Sequence, residues 1–307
     1  MSGLTIALRL WNSARRSLWG KLAPQCGYRG CIQARRRWHG IRRKTHGVRM
    51  QGASYCRTEC LELALIDVLG RTQPIQQRVA PAAHRVPLGL LLLSRQQLTA
   101  AQLRTALEAQ REASDGESDR RKRKKIGAWL QELGFATEYQ VTAALARQWA
   151  CPVLRAAPMA MAAGRFPSIP TLLLESFHMM PVELVEATGT LLMAFSEGID
   201  YSVLYAIEQM LGYHTEVCVV GPSALQKSLQ TLAARRGASD VVFDRTKDAG
   251  ECVRIIGSYS AKVKAEEVRV VRCGEHLWIR LERFEQDAVT LVLRAPFSSQ
   301  FAVPSSQ

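Results

Sequence analysis

Two glycines, Gly89 and Gly127, lie at equivalent positions of a repeated pattern, where they could contribute to a binding site. Each follows a branched aliphatic residue, Leu88 or Ile126, and the two lie 38 residues apart. A glycine beside a helix start lets backbone N–H groups approach a phosphate, so the pair could bind an anionic ligand. The same glycines would let two helices pack closely, and the sequence leaves both interpretations open.

The 38-residue interval extends over a longer pattern, which indicates two copies of one supersecondary unit. In each copy a threonine, Thr99 or Thr137, precedes apolar residues spaced three and four apart and can accept a hydrogen bond from a helix N–H group. We therefore predict a short helix, a turn and a longer capped helix in each copy, with Gly134 in the second turn. The recurring positions are Leu88, Gly89, Leu92, Leu98, Thr99, Leu103, Ala106, Leu107 and Gln110, then Ile126, Gly127, Leu130, Ala136, Thr137, Val141, Ala144, Leu145 and Gln148.

This double pattern of Leu-Gly-x-x-Leu, a turn, Leu-Thr, Leu, Ala-Leu and Gln resembles the MshE-type N-terminal domain of the type II secretion and type IV pilus assembly ATPases, the GspE/PilB family. The resemblance covers about Arg85 to Ala234. It implies an α/β (α+β) fold in which tandem helical hairpins precede a small α/β sandwich. Some members of the family bind cyclic di-GMP across the two motifs, which implies this dinucleotide as a candidate ligand.

The resemblance also implies which residues would meet such a ligand. The glycine amides, Arg85 and Lys125 would contact phosphate, and leucines would form an apolar bed under the purines. Two departures from the family motif weaken that site, because Pro87 replaces an arginine and Gln96 replaces the turn glycine. The implied ligand-binding residues are Arg85, Leu88, Gly89, Leu92, Leu107, Gln110, Lys125, Ile126, Gly127, Leu130, Gly134, Leu145 and Gln148.

No sequence pattern predicts an enzyme. The chain lacks the P-loop Gly-x-x-x-x-Gly-Lys-Ser/Thr with which ATPases of this kind hold triphosphate, and it lacks Gly-x-Ser-x-Gly. His178, His214 and His276 are single histidines without metal-ligand spacing. We expect a regulatory or adaptor protein without a cofactor, whose partners are secretion or pilus machinery proteins. An adaptor that binds no nucleotide is the alternative.

The charge of the chain is concentrated at its N-terminus. Residues 1–58 contain 13 of the 41 lysines and arginines and none of the 27 acidic residues, which leaves 28 basic residues in a nearly neutral remainder. A basic patch on the fold is therefore not expected, and nucleic-acid or membrane-surface binding by the tail is a third hypothesis. No apolar run reaches the roughly 18 residues of a spanning helix and no signal-peptide pattern is present, so we predict a cytoplasmic protein.

The eight cysteines are scattered and include no Cys-x-x-Cys pair. Cys56 and Cys60 could face one way on a helix, with His39 and His46 upstream, which leaves a metal site open. Reduced buried thiols are the interpretation that we prefer, and we predict no metal.

Changes in composition and the positions of helix-breaking and turn residues predict the order of the domains. We expect a disordered basic tail at 1–58, with Met50 as an alternative first residue, and a helix and linker at 59–84. The resembling domain spans 85–236, with repeats at 85–150 and an α/β part at 151–236, and contains a solvated charged insertion at 114–125. A helix and an antiparallel meander follow at 237–297, before a tail at 298–307.

Overall fold

Helices surround two β-sheets in the structure, a computed structural model that describes residues 26–32, 47–71, 85–114, 124–154, 169–236, 240–283 and 286–294. Most of the predicted basic tail, the linker at 72–84, the insertion at 115–123 and the tail at 298–307 lie outside these ranges. The predicted class of mixed helices and strands is confirmed.

Local sequence accounts for most element boundaries in the described residues. The helices are α1 (Thr58–Arg71), α2 (Leu88–Ser94), α3 (Ala100–Ser114), α4 (Ile126–Glu132), α5 (Glu138–Gln148), α6 (Thr171–Ser176), α7 (Tyr201–Leu211), α8 (Pro222–Arg236) and α9 (Ala249–Lys262). The strands are β1 (Val48–Met50), β2 (Ala53–Tyr55), β3 (Met179–Val185), β4 (Thr190–Phe195), β5 (His214–Val219), β6 (Val241–Phe243), β7 (Glu267–Cys273), β8 (His276–Arg283) and β9 (Gln286–Arg294).

The long helix of each repeat begins with a capping box. Thr137 Oγ1 accepts a hydrogen bond from the Gln140 amide at 3.2 Å, and the Gln140 side chain accepts one from the Thr137 amide at 2.8 Å. Thr99 and Gln102 make the same two bonds at 3.2 and 2.9 Å. These reciprocal bonds satisfy helix N–H groups that have no partner within the helix, so both long helices start where the threonines predict.

The larger sheet has six strands in the order β2-β1-β7-β8-β9-β6. Strands β7, β8 and β9 form the predicted antiparallel meander, and β1 and β6 add parallel strands on either side of it. Helices α1 and α9 pack together against one face. On the other face Trp278 is buried in the core that α7 shares with the smaller sheet.

The predicted tail at 1–58 is wrong for its described residues. Strand β1 pairs with β7, and Met50 is 1% exposed in the core of the large sheet. The backbone at Cys26 bridges Ser54 of β2, and the Gly27 amide donates to the Ser54 carbonyl at 2.8 Å. These short segments are ordered by pairing with a strand more than 200 residues away in the sequence. The composition of the segments gives no sign of this pairing.

The smaller sheet has the order β3-β4-β5, with β3 antiparallel and β5 parallel to β4. Helix α7 provides the crossover from β4 to β5; Asp200 caps its start, and Gly212 at φ +75° ends it. Pro181 cannot donate to a ladder, and the register of edge strand β3 shifts between Pro181 and Glu183.

Candidate ligand site at the junction of the two repeats

The two repeats hold each other through exchanged contacts. Helix α2 packs against α5, and α3 packs against α4, so each short helix contacts the long helix of the other copy. Gln148 Nε2 donates to the Val86 carbonyl at 2.8 Å, and Gln110 Nε2 donates to the Lys124 carbonyl at 2.9 Å. The two donors lie 38 residues apart in the sequence, and so do the two acceptors. The junction therefore has local two-fold character.

The two glycines are buried where helices pack closely. A Cβ atom on Gly89 would lie 2.6 Å from Leu103 Cδ1, and one on Gly127 would lie 2.9 Å from Val141 Cγ1. Leu103 and Val141 are equivalent positions of the repeat. Packing therefore requires both glycines, and this geometry favours the packing interpretation over an open phosphate cradle.

The aliphatic residues assigned to an apolar bed divide between core and surface. Leu92 and Leu130 have no exposed surface, and Leu88 is also buried in the core of the repeats. Ile126 and Leu145 are half-buried, whereas Leu107 is 38% exposed. The expectation that Leu92 and Leu130 line a ligand bed is therefore corrected: both fill the space between the helices.

Both turns have the same geometry despite their different residues. Gln96 and Gly134 adopt left-handed φ values of +58° and +68°. The next amide in each turn donates to the equivalent carbonyl of the short helix, Gln97 to Leu92 at 3.0 Å and Phe135 to Leu130 at 2.9 Å. The absence of a glycine at Gln96 therefore leaves the turn intact, and Gly134 has a conformational role.

Three cations lie at the starts of the two short helices. The Arg85 guanidinium lies 3.6 Å from the centroid of the Trp149 ring and 5.9 Å from that of Tyr201. Within the described ranges no carboxylate pairs with it. Lys125 Nζ pairs with Glu197 Oε2 at 2.5 Å, and Lys124 pairs with Glu132 above the Trp129 ring.

An arginine stacked on an indole keeps its in-plane N–H groups available. Those donors form a planar fork that matches a phosphate or the acceptor edge of a guanine. Arg85 lies at the junction, and the two aromatic rings that it contacts, Trp149 and Tyr201, were not among the residues predicted for the site. The position of Trp149, directly after Gln148, was the signal in the sequence; Tyr201 arrives from α7 and had none.

A second surface feature lies on the outer side of α5. A shallow groove of about 530 Å³ is lined by Tyr139, Ala143, Ala146, Arg147, Ala150, Cys151 and Val153. The Tyr139 side chain is 68% exposed and Val153 is 37% exposed. Exposed aromatic and aliphatic groups beside an arginine are typical of a surface that contacts another protein.

Cysteines form the one metal-capable group of cysteine, histidine and carboxylate side chains within the described residues. The thiols of Cys26, Cys31, Cys56 and Cys60 all lie within 4.8 Å of one another. Sequence analysis considered Cys56 and Cys60 with His39 and His46, which lie outside the described ranges, and did not associate Cys26 and Cys31 with them. The sequence does not show this grouping, because the two cysteine pairs lie far apart along the chain. The β-bridge between Cys26 and Ser54 brings the pairs together in the fold.

The remaining four cysteines lie outside this group. Burial raises the pKa of Cys218 and of Cys273 to about 12, and it also raises the pKa of Cys151 and Cys252. No disulfide forms among the eight cysteines, all of which lie in described residues. The preferred interpretation of buried thiols thus holds for Cys218, Cys252 and Cys273, whereas Cys151 is half-buried.

Comparison with solved structures finds similarity over about half of this chain. A structure of MshE with cdg is 23% identical and covers 48% of this chain and 99% of that chain, with a TM-score of 0.40. The N-terminal domain of XpsE is 21% identical in two crystal forms, with TM-scores of 0.34 and 0.27. These cover 47% and 45% of this chain and 91% and 89% of theirs.

No protein-family model matches the chain, and no curated protein matches it. None of the helices in the described ranges combines the length and apolar character needed to cross a membrane.

Proposed function

We propose that this protein is a non-catalytic regulatory or adaptor module related to the N-terminal domain of secretion and pilus ATPases, and that its repeat junction binds cyclic di-GMP. The observation that carries the proposal is the Arg85 guanidinium, stacked on Trp149 without a carboxylate partner among the described residues. A flat cation with open N–H groups suits a ligand with both phosphates and guanine edges.

The proposed site differs from the one that the motif resemblance implies. Arg85 and Lys125 remain in it, and Trp149 and Tyr201 replace the buried leucines as the apolar contacts. Lys125 must exchange Glu197 for phosphate, which weakens its contribution. Because a charged hydrogen bond contributes about 1.5–3 kcal/mol, the absence of arginine at Pro87 corresponds to an affinity lower by about one to two decades.

Calorimetric titration of the full chain with cyclic di-GMP tests this site. We expect saturable binding that Arg85→Ala weakens at least about tenfold, as loss of a charged contact requires. Arg104→Ala is the matched control, since it removes one exposed arginine of the same repeat and should leave binding unchanged. Glu197→Gln should tighten binding because it releases Lys125. Absence of heat at about millimolar ligand rejects the dinucleotide site.

A substitution at the motif glycine, such as Gly127→Trp, cannot separate binding from folding. Gly127 is buried against Val141, so a tryptophan there would disrupt helix packing whether or not a ligand binds. Arg85, half-buried at the surface, avoids this difficulty.

An adaptor without nucleotide binding is the second candidate function, favoured by the groove on α5. In that case Tyr139→Glu should abolish binding to purified secretion or pilus machinery proteins. Tyr205→Glu is the control, because Tyr205 is a 48% exposed tyrosine away from the groove. Equal losses in both variants would argue against a specific surface.

The absence of ATP turnover also remains a proposal, based on the missing P-loop, and hydrolysis by stringently purified protein would contradict it. Nucleic-acid or membrane binding by the basic tail would fall steeply with salt and disappear on deletion of residues 1–49. That deletion also removes Cys26 and Cys31 of the cysteine group.

A further inference from the structure

Four thiols from two separate segments surround a single point beside the large sheet. Cys31 Sγ lies 3.4 Å from Cys56 Sγ, which lies 3.9 Å from Cys60 Sγ, and no pair including Cys26 is farther apart than 4.8 Å. A tetrahedral ion with metal–sulfur bonds of about 2.3 Å separates its sulfur ligands by about 3.8 Å. The observed distances bracket that value.

We infer that Cys26, Cys31, Cys56 and Cys60 bind one zinc ion, which holds the N-terminal segment onto the large sheet. The pairs have the spacings Cys-x4-Cys and Cys-x3-Cys, within the range of structural zinc sites. Neither pair makes a complete site, so the ion requires both segments.

The elements around the thiols already place the four ligands. The Cys31 amide donates to the Tyr28 carbonyl at 3.1 Å, which closes a turn between the first two cysteines. Cys56 precedes α1, and Cys60 lies in the first turn of that 14-residue helix. The positive end of the helix dipole favours thiolate there.

Four sulfur ligands also define the chemistry of the ion. Thiolates are soft ligands that select zinc, or iron in a single-ion site, over calcium and magnesium. A multinuclear iron–sulfur cluster does not fit, because its own atoms would force the four cysteines farther apart. With four protein ligands no open coordination position remains, so the site is structural rather than catalytic.

One of the two segments that the ion would join, residues 26–32, has few backbone bonds to the rest of the described fold. It meets the sheet through a bridge and one hydrogen bond at Ser54 and through the packing of Tyr28 and Cys31 against the core, and strands β1 and β2 contain three residues each. Small segments that bury little apolar surface commonly depend on a metal for order. Zinc would therefore reinforce the limited packing of this segment at the edge of the sheet.

Metal analysis of the purified, reduced full chain tests the inference. We expect one zinc per chain by mass spectrometry, and cobalt replacement should produce the thiolate-to-cobalt charge-transfer and intense visible bands of tetrahedral sulfur coordination. Cys26→Ser and Cys60→Ser should each reduce bound zinc from one per chain to near zero. Cys252→Ser, which alters a buried cysteine of the same core, should keep the ion.

The unmutated protein keeps the test decisive if a variant fails to fold, because its zinc content and cobalt spectrum require no substitution. Deletion of residues 1–25 should retain the ion, and deletion of residues 1–49 should lose it. His39→Ala and His46→Ala should retain it, since the four thiols complete the coordination. Metal-free folded protein without the cobalt bands, or disulfides within these four cysteines, would overturn the site.

Discussion

The two repeats share their internal bonds but differ in their attachment to the rest of the molecule. Glu138 of the second copy accepts hydrogen bonds from the Ser223 amide at 3.1 Å and the Ser223 hydroxyl at 2.5 Å. Lys125 of the same copy pairs with Glu197, and α5 packs against β5. The second copy is therefore anchored on the α/β half of the chain.

The first copy approaches that half through Arg85, which contacts Trp149 and Tyr201. Its Leu107 is 38% exposed, whereas the equivalent Leu145 is half-buried. The two copies of the repeat thus have the same local structure but different contacts with the rest of the molecule.

The largest expected effect is a loss of stability when a packing glycine is replaced, and the loss should differ between Gly127 and Gly89. Gly127→Val should lower the free energy of unfolding by about 3 kcal/mol, because its side chain meets Val141, whose single preferred rotamer cannot yield. Gly89→Val should cost about 1 kcal/mol less, since the clash is with the terminal methyl groups of Leu103, which can rotate. Urea unfolding measures both variants.

An equal or larger loss in Gly89→Val would show that the Leu103 side chain is as rigidly held as that of Val141. In that case the two copies are more alike in packing than their sequences indicate.

The turns provide a test of intermediate size. Gln96→Gly should raise the free energy of unfolding by about 1 kcal/mol, and Gly134→Gln should lower it by a similar amount, because a left-handed backbone strains residues that carry a Cβ. Thermal unfolding should show opposite shifts. Gln97→Gly is the control, since Gln97 has no positive φ, and a gain there would refute the conformational explanation.

The smallest effect concerns the exchanged glutamine bonds. Gln110→Met and Gln148→Met should each lower the free energy of unfolding by about 0.5 kcal/mol, since each removes one exposed hydrogen bond to the other copy's backbone. Gln131→Met, without an inter-copy bond, should have little effect. Unequal losses at the two positions, measured by denaturant unfolding, would break the local two-fold symmetry of the junction.

The sequence predicted the elements whose signals are local. The threonine caps, the turn glycine and the apolar residues spaced three and four apart placed the four repeat helices. The meander of β7, β8 and β9 followed from its turns. Strands β1 and β2 were missed because three residues are too few to show the alternation of a strand. Helix α6 was missed because the six residues that follow Pro170 are too few to show helical periodicity.

The candidate site was predicted less completely than the fold. Arg85, Lys125 and the two glutamines lie at the junction as the motif positions indicate, but the glycines and Leu92 serve packing. A pattern of apolar residues and glycine has the same appearance whether it lines a ligand or another helix. Burial distinguishes the two cases, and burial is a property of the assembled chain.

The sequence by itself determined the repeat, its caps and its turns, because these depend on residues within about five positions of one another. Only the tertiary structure decided which copy is anchored, which side chain stacks on Arg85, and that Cys26 and Cys31 meet Cys56 and Cys60. Those features need contacts between segments from 25 to more than 100 residues apart. Such contacts form only when the sheets and helices pack, and no local spacing encodes them.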